Sequence, residues 1–446
     1  MNRNAIRWLA MIAGVIVLAA VPCRAWEHHT LVVGPLVESM PEITALPRVE
    51  VVSLEHFLVS MEATLAEVLA QEETWAREYM ESYAPLPDAL AFKATRNASD
   101  IRNRFFEAIR INPESKTALY VSRLVENPDA PRTGLDPSAV TLIPDAGELK
   151  QFRFEPLSAG NMVAPRDVLV TASNEPDYGL DIGLFVDNGT EYGARYGFGE
   201  QPFGDPDLVY GSQAPFHMGF YHESQLVFLF ASYLKATYPE YRIHLYKSLS
   251  EAAFAQGQDY WGWRFMGWGL HYVADLSMPY HTTVLPGYST FRMLLINLLS
   301  MLGYPKYVDD ALQLVSNRHM ALERFQGITF ERVSRGADWT NTLIKVLQDE
   351  GEIPVYSDNM PREEIAAQSH DLSGEINAVL TRYMPGRFVN DPGVELAEQP
   401  DLDDVVELVA ESGSPNALHE VNAMLERTLA IFGVYGRSYI QALLPE

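Results

Sequence analysis

The chain has 446 residues, of which 47% are hydrophobic and 21% are charged. This composition is typical of a globular protein and excludes an intrinsically disordered or low-complexity chain. The 59 Asp and Glu residues outnumber the 33 Lys and Arg residues, and the net charge of −26 argues against tight nonspecific binding to duplex nucleic acid, which needs a basic surface. The single cysteine excludes a disulfide framework and a cysteine-based metal cluster, so the eleven histidines are the candidate ligands.

The first 25 residues have the pattern of a signal peptide. A basic start precedes the apolar run Trp8 to Val21, which is 14 residues long, whereas a membrane span needs about 20 residues. Small side chains before the site fit cleavage after Ala25, which would leave a secreted or periplasmic chain that begins with Trp26. This mature chain would carry a net charge of −29 and is expected to have no transmembrane span. The alternatives are a lipid anchor on Cys23 and an uncleaved membrane anchor.

Helical periodicity dominates the rest of the chain. Ser53 is a predicted N-cap ahead of an amphipathic helix, residues 84–170 alternate short helical stretches with proline-containing loops, and residues 182–215 are expected to form a long ordered loop. Alternating strand patterns are scarce, so the sequence predicts an all-α fold. The helices predicted beyond His222 cover residues 223–237, 242–256, 258–276, 289–303, 306–333, 338–349, 361–384 and 416–444.

The densest group of candidate metal ligands lies within residues 268–281. His271 and Asp275 are four residues apart and therefore lie on one face of the predicted helix. Pro279 ends that helix, which lets the chain turn so that His281 can point back to the same place. Imidazole and carboxylate groups suit zinc, and within so apolar a helix each charge needs a partner. The alternative is a pair of ordinary core or surface residues.

Other histidines and carboxylates fall in short groups. His319 and Glu323 repeat the four-residue spacing on a predicted helix, for which the alternative is a solvated helix face. Three further places each offer two candidates, which are His28 and His29, Asp177 and Asp181, and His217 and His222. The histidines that lie singly on predicted helices are expected to be structural, and they are His56, His244, His370 and His419.

Residues 270–281 read L-H-Y-V-A-D-L-S-M-P-Y-H and contain every fixed position of the pattern H-Y-x-x-D-x-x-x-P-x-H. This segment resembles the signature that zinc-dependent phospholipases C share with the fungal single-strand-specific secreted nucleases. Other features resemble that family in the same order, namely a mature start at Trp26, His29 before an apolar run, and His319 with Glu323 before Phe325. The resemblance covers residues 26–31 and about 172–446.

The resemblance implies a phospholipase C-like helical bundle with three zinc ions. It favours His29 over His28, Asp177 over Asp181 and His217 over His222, because their local sequences are similar to those of the family. The implied ligands of the first ion are His271, Asp275, Asp177 and His217, and those of the second are His281, His319 and Glu323. The amino terminus of Trp26 and His29 would bind the third ion, and Asp275 would bridge the third ion to the first.

The signal-peptide pattern and the resemblance together divide the chain into segments. Residues 1–25 would be the signal peptide, residues 26–40 an N-terminal zinc-binding segment, residues 41–170 an inserted and mainly helical subdomain of unknown role, and residues 171–446 the catalytic helical domain. A C-terminal lipid-binding β-sandwich is not expected, because the sequence after Glu323 is helical.

The implied activity is that of a secreted zinc-dependent phosphodiesterase, in which zinc-activated water cleaves the ester and Asp177 is also the general base. A phospholipid is the favoured substrate, with peripheral membrane contact. The alternatives are a nuclease or nucleotidase acting on single-stranded nucleic acid, and an inactive metal- or membrane-binding relative. Residues 291–302 would be a lipid-facing surface or a buried core helix. The loop aromatics that would stack on bases, or only pack the loop, are Tyr192, Tyr196, Phe198, Phe203 and Tyr210.

Overall fold

The computed structural model describes residues 28–144, 148–206, 208–209 and 211–445, so the predicted signal peptide and Trp26 lie outside the described residues. Most of the described chain is helical, which confirms the mainly α-helical character that the sequence predicts. The α-helices are α1 (His29–Glu38), α2 (Pro41–Thr44), α3 (Leu54–Tyr79), α4 (Ile101–Ile109), α5 (Pro165–Ala172), α6 (Glu191–Tyr196), α7 (Ala214–His217), α8 (Gln225–Phe230), α9 (Pro239–Ala255), α10 (Asp259–Leu276), α11 (Pro279–Thr282), α12 (Thr290–Met301), α13 (Lys306–Arg335), α14 (Thr342–Gln348), α15 (Ala367–Tyr383), α16 (Gly386–Val389), α17 (Val405–Ala410) and α18 (Ala417–Leu443).

The segment 41–170 combines helices with two small antiparallel sheets. The strands Val49–Glu50 and Met162–Val163 form one sheet, with Val49 opposite Val163. The strands Tyr120–Leu124 and Phe152–Pro156 form the other, with Tyr120 opposite Pro156. Buried side chains of this segment belong to the same hydrophobic cluster as those of α10. The strands are β1 (Val49–Glu50), β2 (Tyr120–Leu124), β3 (Phe152–Pro156) and β4 (Met162–Val163).

Helix α10 lies inside the hydrophobic core. Every residue from Tyr260 to Leu276 is buried. A helix that is apolar around its whole circumference must be covered on all sides, and α10 packs against α5, α9 and α18. Because His271 and Asp275 belong to this helix, both side chains are held in the protein interior.

Two glycines let other elements approach α10 closely. A Cβ atom at Gly267 would lie 2.7 Å from the carbonyl oxygen of Leu169 in α5, and one at Gly269 would overlap the hydroxyl oxygen of Tyr439 in α18. Neither gap is wide enough for a side chain. Gly267 and His271 are four residues apart and share a helix face, so the approach of α5 brings the chain that follows it against His271.

Local sequence signals account for several helix ends. The Ser53 hydroxyl accepts a hydrogen bond from the backbone N–H of His56, as expected of an N-cap. Helix α10 ends at Leu276, as predicted, and a further short helix that was not predicted, α11, begins at Pro279. The single helix predicted over residues 223–237 is wrong, because Ala231 leaves the helical conformation (φ −134°, ψ 59°) and divides the segment into α8 and a 3₁₀ turn.

The segment 182–215, predicted to be a long loop, contains the short helix α6, the start of α7 and two 3₁₀ turns. None of the helices within the described residues combines the length and hydropathy that crossing a bilayer requires.

Candidate metal centre

Histidines and carboxylates from six parts of the chain meet beside α10. His271 Nε2 lies 3.1 Å from His217 Nδ1 and 3.3 Å from Asp275 Oδ2. The structure therefore brings together distant residues that the sequence singled out. Three groups have donor atoms within 4.8 Å of one another, and they are His29, Asp177 and His271; His217, His271 and Asp275; and His281, His319 and Glu323.

The ring of His271 is oriented by a hydrogen bond to a backbone group outside the cluster, and the ring of His217 lies between Asp275 within the cluster and Asp181 outside it. His271 Nδ1 lies 2.8 Å from the carbonyl oxygen of Ser173. A carbonyl can only accept, so Nδ1 carries a proton and Nε2 faces the cluster. His217 presents Nδ1 to Asp275 Oδ2 at 2.9 Å and Nε2 to Asp181 Oδ2 at 3.6 Å. Such outer partners fix ring orientation around metals.

The group of His281, His319 and Glu323 joins α11 to α13. His319 Nε2 lies 2.8 Å from Glu323 Oε1, and His281 Nε2 lies 3.1 Å from His319 Nε2. Both α13 side chains are buried, so the interpretation of this pair as a solvated helix face is wrong. His281 Nδ1 lies 3.4 Å from Asp275 Oδ1, which makes this group adjacent to the first.

Of the two N-terminal histidines, His29 enters the cluster. Its Nε2 lies 3.5 Å from Asp177 Oδ2 and 3.7 Å from Asp275 Oδ1. His28 turns to the other side, where its Nε2 lies 3.6 Å from Glu331. Trp26, whose amino terminus is the further ligand that the resemblance implies, lies outside the described residues.

His222 is placed away from the cluster. Its Nε2 donates a hydrogen bond to the backbone carbonyl of Arg362 at 2.7 Å, and its ring lies beside that of His370. His217, the alternative, ends α7 and contacts both His271 and Asp275.

The chain after α5 carries three carboxylates, and buried arginines neutralise two of them. Arg264 donates two hydrogen bonds to Glu175, at 2.8 and 2.9 Å. Arg242 donates one to Asp181 at 2.6 Å. Asp177 lies between them in sequence and faces the histidines of the cluster instead. Neither arginine belongs to the histidine and carboxylate groups of the sequence, although an arginine within a helix as apolar as α10 indicates a buried carboxylate partner.

Within the part of the chain that the structure describes, the carboxylates of Asp177, Asp275 and Glu323 meet no arginine or lysine. Among the described residues, their ion-pair contacts are with histidines. One oxygen of Asp177, one of Asp275 and both of Glu323 are buried and accept no hydrogen bond within the described chain. Buried charges are normally paired or bound to metals, so these oxygens fit a cation that the chain itself does not supply.

The spacing and chemistry of the donor atoms also fit zinc. Four ligands at about 2.0–2.1 Å from zinc are separated by about 3.3 Å in a tetrahedron. His271 Nε2 lies 3.3 Å from Asp275 Oδ2, and His29 Nε2 lies 3.5 Å from Asp177 Oδ2. The structure thus contains buried His, Asp and Glu clusters that could hold a metal ion.

Burial and neighbouring charge shift the pKa of three cluster members in different directions. Burial lowers the pKa of His29 well below its usual range, and His271 adds to this effect. Burial raises the pKa of Asp177 to about 8, although His271 opposes the increase. Burial also acts against ionisation of Asp275, but His271 and His281 outweigh it and hold that pKa well below the usual range. A neutral imidazole and an ionised carboxylate are the forms that bind metals.

No protein-family model matches this chain, and neither a curated protein nor a solved structure matches it. The assignment of the site therefore depends on the positions and contacts of its own residues.

The loop aromatics are not arranged as platforms for bases. Tyr196, Phe198 and Phe203 are buried, and Phe198 packs against other aromatic rings. The hydroxyl of Tyr192 accepts a hydrogen bond from Asn112. The packing interpretation is therefore correct for these four residues, and Tyr210 lies outside the described residues.

Proposed function

We propose that this chain is a secreted zinc-dependent phosphoric ester hydrolase of the phospholipase C type, with a phospholipid as its favoured substrate. The observation that carries the proposal is the buried cluster in which Asp177, Asp275 and Glu323 face histidines and no arginine. Its central residues match the H-Y-x-x-D-x-x-x-P-x-H pattern position by position. The phospholipase C-like form of the helical fold is part of the same proposal.

The proposed ligand sets are those that the resemblance implies, and they draw on the residues of the three clusters, in which His29 is grouped with Asp177 and His271. When bound, zinc neutralises phosphate oxygens and lowers the pKa of water, which explains how so acidic a chain could act on a phosphate ester. The contacts of His29 with Asp177 and Asp275 support its place at a third ion. The sets are Asp177, His217, His271 and Asp275; His281, His319 and Glu323; and His29 with the amino terminus of Trp26.

Asp177 is the member of the cluster that solvent reaches best. Its side chain is 17% exposed, whereas those of His271 and Asp275 are 0% exposed. A substrate would therefore approach from the side of Asp177. In the proposal its carboxylate accepts the proton of the water that attacks phosphorus, as the P–O ester bond breaks and the leaving oxygen takes up a proton.

Other residues of the chain would hold these groups in position. The Ser173 carbonyl fixes the orientation of His271, and Arg242 holds Asp181 beside His217. Nuclease or nucleotidase activity is the second candidate, and an inactive relative the third. Long polyanions are disfavoured by the net charge of −26 and by the burial of the loop aromatics.

The test is an assay of the mature chain on phosphatidylcholine, single-stranded DNA and a small soluble phosphodiester, with and without a chelator. The expected result is release of diacylglycerol from phosphatidylcholine, loss of this activity on chelation, and recovery with zinc. Activity that remains after complete removal of zinc would contradict the proposal.

The third zinc has a separate test. Adding one residue ahead of Trp26 would remove its free amino group from the proposed position, so the measured zinc content should fall. An unchanged zinc content would show that the amino terminus is not a ligand.

A further inference from the structure

Exposed apolar side chains are concentrated in one part of the molecule. Of 18 large hydrophobic residues exposed within the described chain, ten lie on α8, on α12 or between the end of α12 and the first turn of α13. Proteins rarely leave such side chains uncovered together unless they meet a partner or a lipid. We call these ten residues the apolar face, and they are Leu226, Leu229, Phe230, Phe291, Leu295, Leu298, Met301, Leu302, Tyr304 and Tyr307.

Helix α12 is apolar on both of its sides. Met293 and Ile296 point into a small hydrophobic cluster and are buried. Phe291, Leu295 and Leu298 follow the spacing i, i+4 and i+7, so they form one stripe on the opposite side, and Phe291 is 76% exposed. A helix of this kind is normally covered on all sides, but the described chain covers only one side of α12.

A cavity of about 450 Å³ opens between α8, α12 and α13. Its lining includes the buried side chains of Val227, Leu234 and Ile296, and it also includes Phe230 and Leu298 of the apolar face. The polar side chains that line it are Asn297 and Ser300. The volume lies within the range of small-molecule pockets, and the lining fits a hydrocarbon chain.

The charge of this region differs from that of the whole chain. Residues 276–308 and 224–239 contain no Asp or Glu, in a protein with 59 acidic residues. The charged residues of the two segments are Lys235, Arg292 and Lys306, of which Lys235 is paired with Glu81 and Lys306 with Asp310, both outside the segments. Long basic side chains can extend along an apolar surface and place their charge among lipid headgroups, and tyrosines such as Tyr304 and Tyr307 are favoured at that depth.

We propose that the apolar face docks on a lipid layer, with α12 lying in the membrane interface and the cavity behind it receiving an acyl chain. Helices with apolar side chains toward the acyl region and basic residues at the margin bind membranes in this way without crossing them. The lack of Asp and Glu within residues 224–239 and 276–308 favours a lipid layer as the occupant, because a carboxylate is costly to bury among acyl chains. Within the described residues Arg292 has no carboxylate partner, so it can meet anionic headgroups at the margin.

The apolar face lies close to the candidate metal centre along the chain. Val284, in the cavity wall, follows His281 by three residues. Leu312, also in the wall, precedes His319 by seven residues of α13, which corresponds to about 10 Å of helix. Docking would therefore bring lipid headgroups near the metal centre. This use of the surface rests on the proposed function, whereas docking itself can be measured without hydrolysis.

The experiment measures co-sedimentation of the mature chain with vesicles of phosphatidylcholine and phosphatidylglycerol in the presence of a chelator. The double variant Phe291→Glu with Leu298→Glu should lower the vesicle partition coefficient at least about tenfold, because it removes two inserted side chains and adds two charges. The matched control is Val59→Glu with Val355→Glu, which changes two exposed valines outside the apolar face and adds the same charge. The control should bind vesicles like the wild type.

Circular dichroism and thermal unfolding should be the same for both double variants, because all four side chains are exposed. Equal vesicle binding by the wild type and the Phe291/Leu298 variant would overturn the docking. Light scattering could also overturn the docking, if the wild type is a dimer and the Phe291/Leu298 variant is a monomer. A second copy of the chain would then cover the apolar face.

A soluble phosphodiester separates the two proposals. Both double variants should hydrolyse it at the wild-type rate when zinc is present, while the Phe291/Leu298 variant loses activity on vesicles. Vesicle binding without hydrolysis of any ester would support docking and contradict the proposed function. Hydrolysis of the soluble ester without vesicle binding would contradict docking alone.

Discussion

Glu175 and Asp181 each meet a buried arginine, whereas Asp177, which lies between them in sequence, meets only histidines among the described residues. Helices α9 and α10 supply the two arginines, Arg242 and Arg264, and both guanidinium groups are almost fully buried. The arginine-paired carboxylates therefore have their charge balanced within the chain. The cluster around Asp177 does not have such a balance.

This difference separates a structural role from a binding role. A buried ion pair with satisfied hydrogen bonds can hold two elements together without any ligand. A group of buried carboxylates that faces imidazoles needs protons or an added cation to offset its charge. In the metal-free protein, making a carboxylate neutral should therefore lower the free energy of unfolding where the carboxylate is paired with an arginine. In the cluster around Asp177, the same change should not lower it.

The largest expected effect is that of His271→Ala on turnover. This change removes the Nε2 atom that lies 3.3 Å from Asp275 and 3.6 Å from Asp177, so hydrolysis should fall about 10³-fold or more as several kcal/mol of charge stabilisation are lost. The measurement is the rate on each substrate, together with zinc content. His244→Ala is the control, because His244 contacts Glu72 instead of the cluster, and it should retain activity. Equal losses in the two variants would contradict the assignment.

The next largest effect is on the free energy of unfolding of the metal-free protein, where an arginine-paired carboxylate and a cluster carboxylate are each made neutral. Glu175→Gln leaves the guanidinium of Arg264 buried without its counter-charge, so the free energy of unfolding should fall by about 3–5 kcal/mol. Glu323→Gln removes a buried charge that has no arginine partner, so the free energy of unfolding should stay the same or rise. Denaturant unfolding in chelator measures both values, and a comparable loss in the second variant would contradict the proposed difference.

The sequence predicts the parts of the site that lie on regular helices. The spacing of His271 and Asp275, and of His319 and Glu323, fixes a shared helix face before any fold is known. The choice between Asp177 and Asp181 could not be made in this way. It depends on Arg242, which is 61 residues away from Asp181 and reaches it only through the packing of α9.

Two parts of the fold were equally hard to read from the sequence. Strand β2 lacks the alternating pattern of a half-buried strand, since Tyr120 and Val121 are both buried. Helix α12 is apolar around its circumference, so its sequence cannot distinguish a buried core helix from a surface helix. Only the packing shows that Met293 is buried and Phe291 exposed.

A smaller effect is expected where an arginine-paired carboxylate supports the cluster. Asp181 Oδ2 lies 3.6 Å from His217 Nε2 and accepts a hydrogen bond from Tyr272 at 2.5 Å. Asp181→Asn should weaken zinc binding about 10–100-fold, as expected for a group that orients a metal ligand. Competition with a chromophoric chelator measures the affinity. His222→Gln should leave it unchanged, because His222 contacts the carbonyl of Arg362 instead, and equal weakening would contradict the role of Asp181.

The smallest effect concerns a charge balance that pH can remove. Burial lowers the pKa of His244, but interactions with Asp358 and Glu72 outweigh it and raise the pKa to about 9. The folded-state pKa exceeds the unfolded value of about 6.5, so this pairing stabilises the fold fully below pH 6.5 and is lost as the pH rises through about 9. The wild type should be about 1–2 kcal/mol more stable than His244→Gln near pH 6.5. That difference, measured by denaturant unfolding, should shrink toward pH 10, because the imidazole is then neutral in both the folded and the unfolded chain. A difference that stays constant from pH 6.5 to pH 10 would show that packing of the His244 ring on Trp75, rather than charge, stabilises this contact.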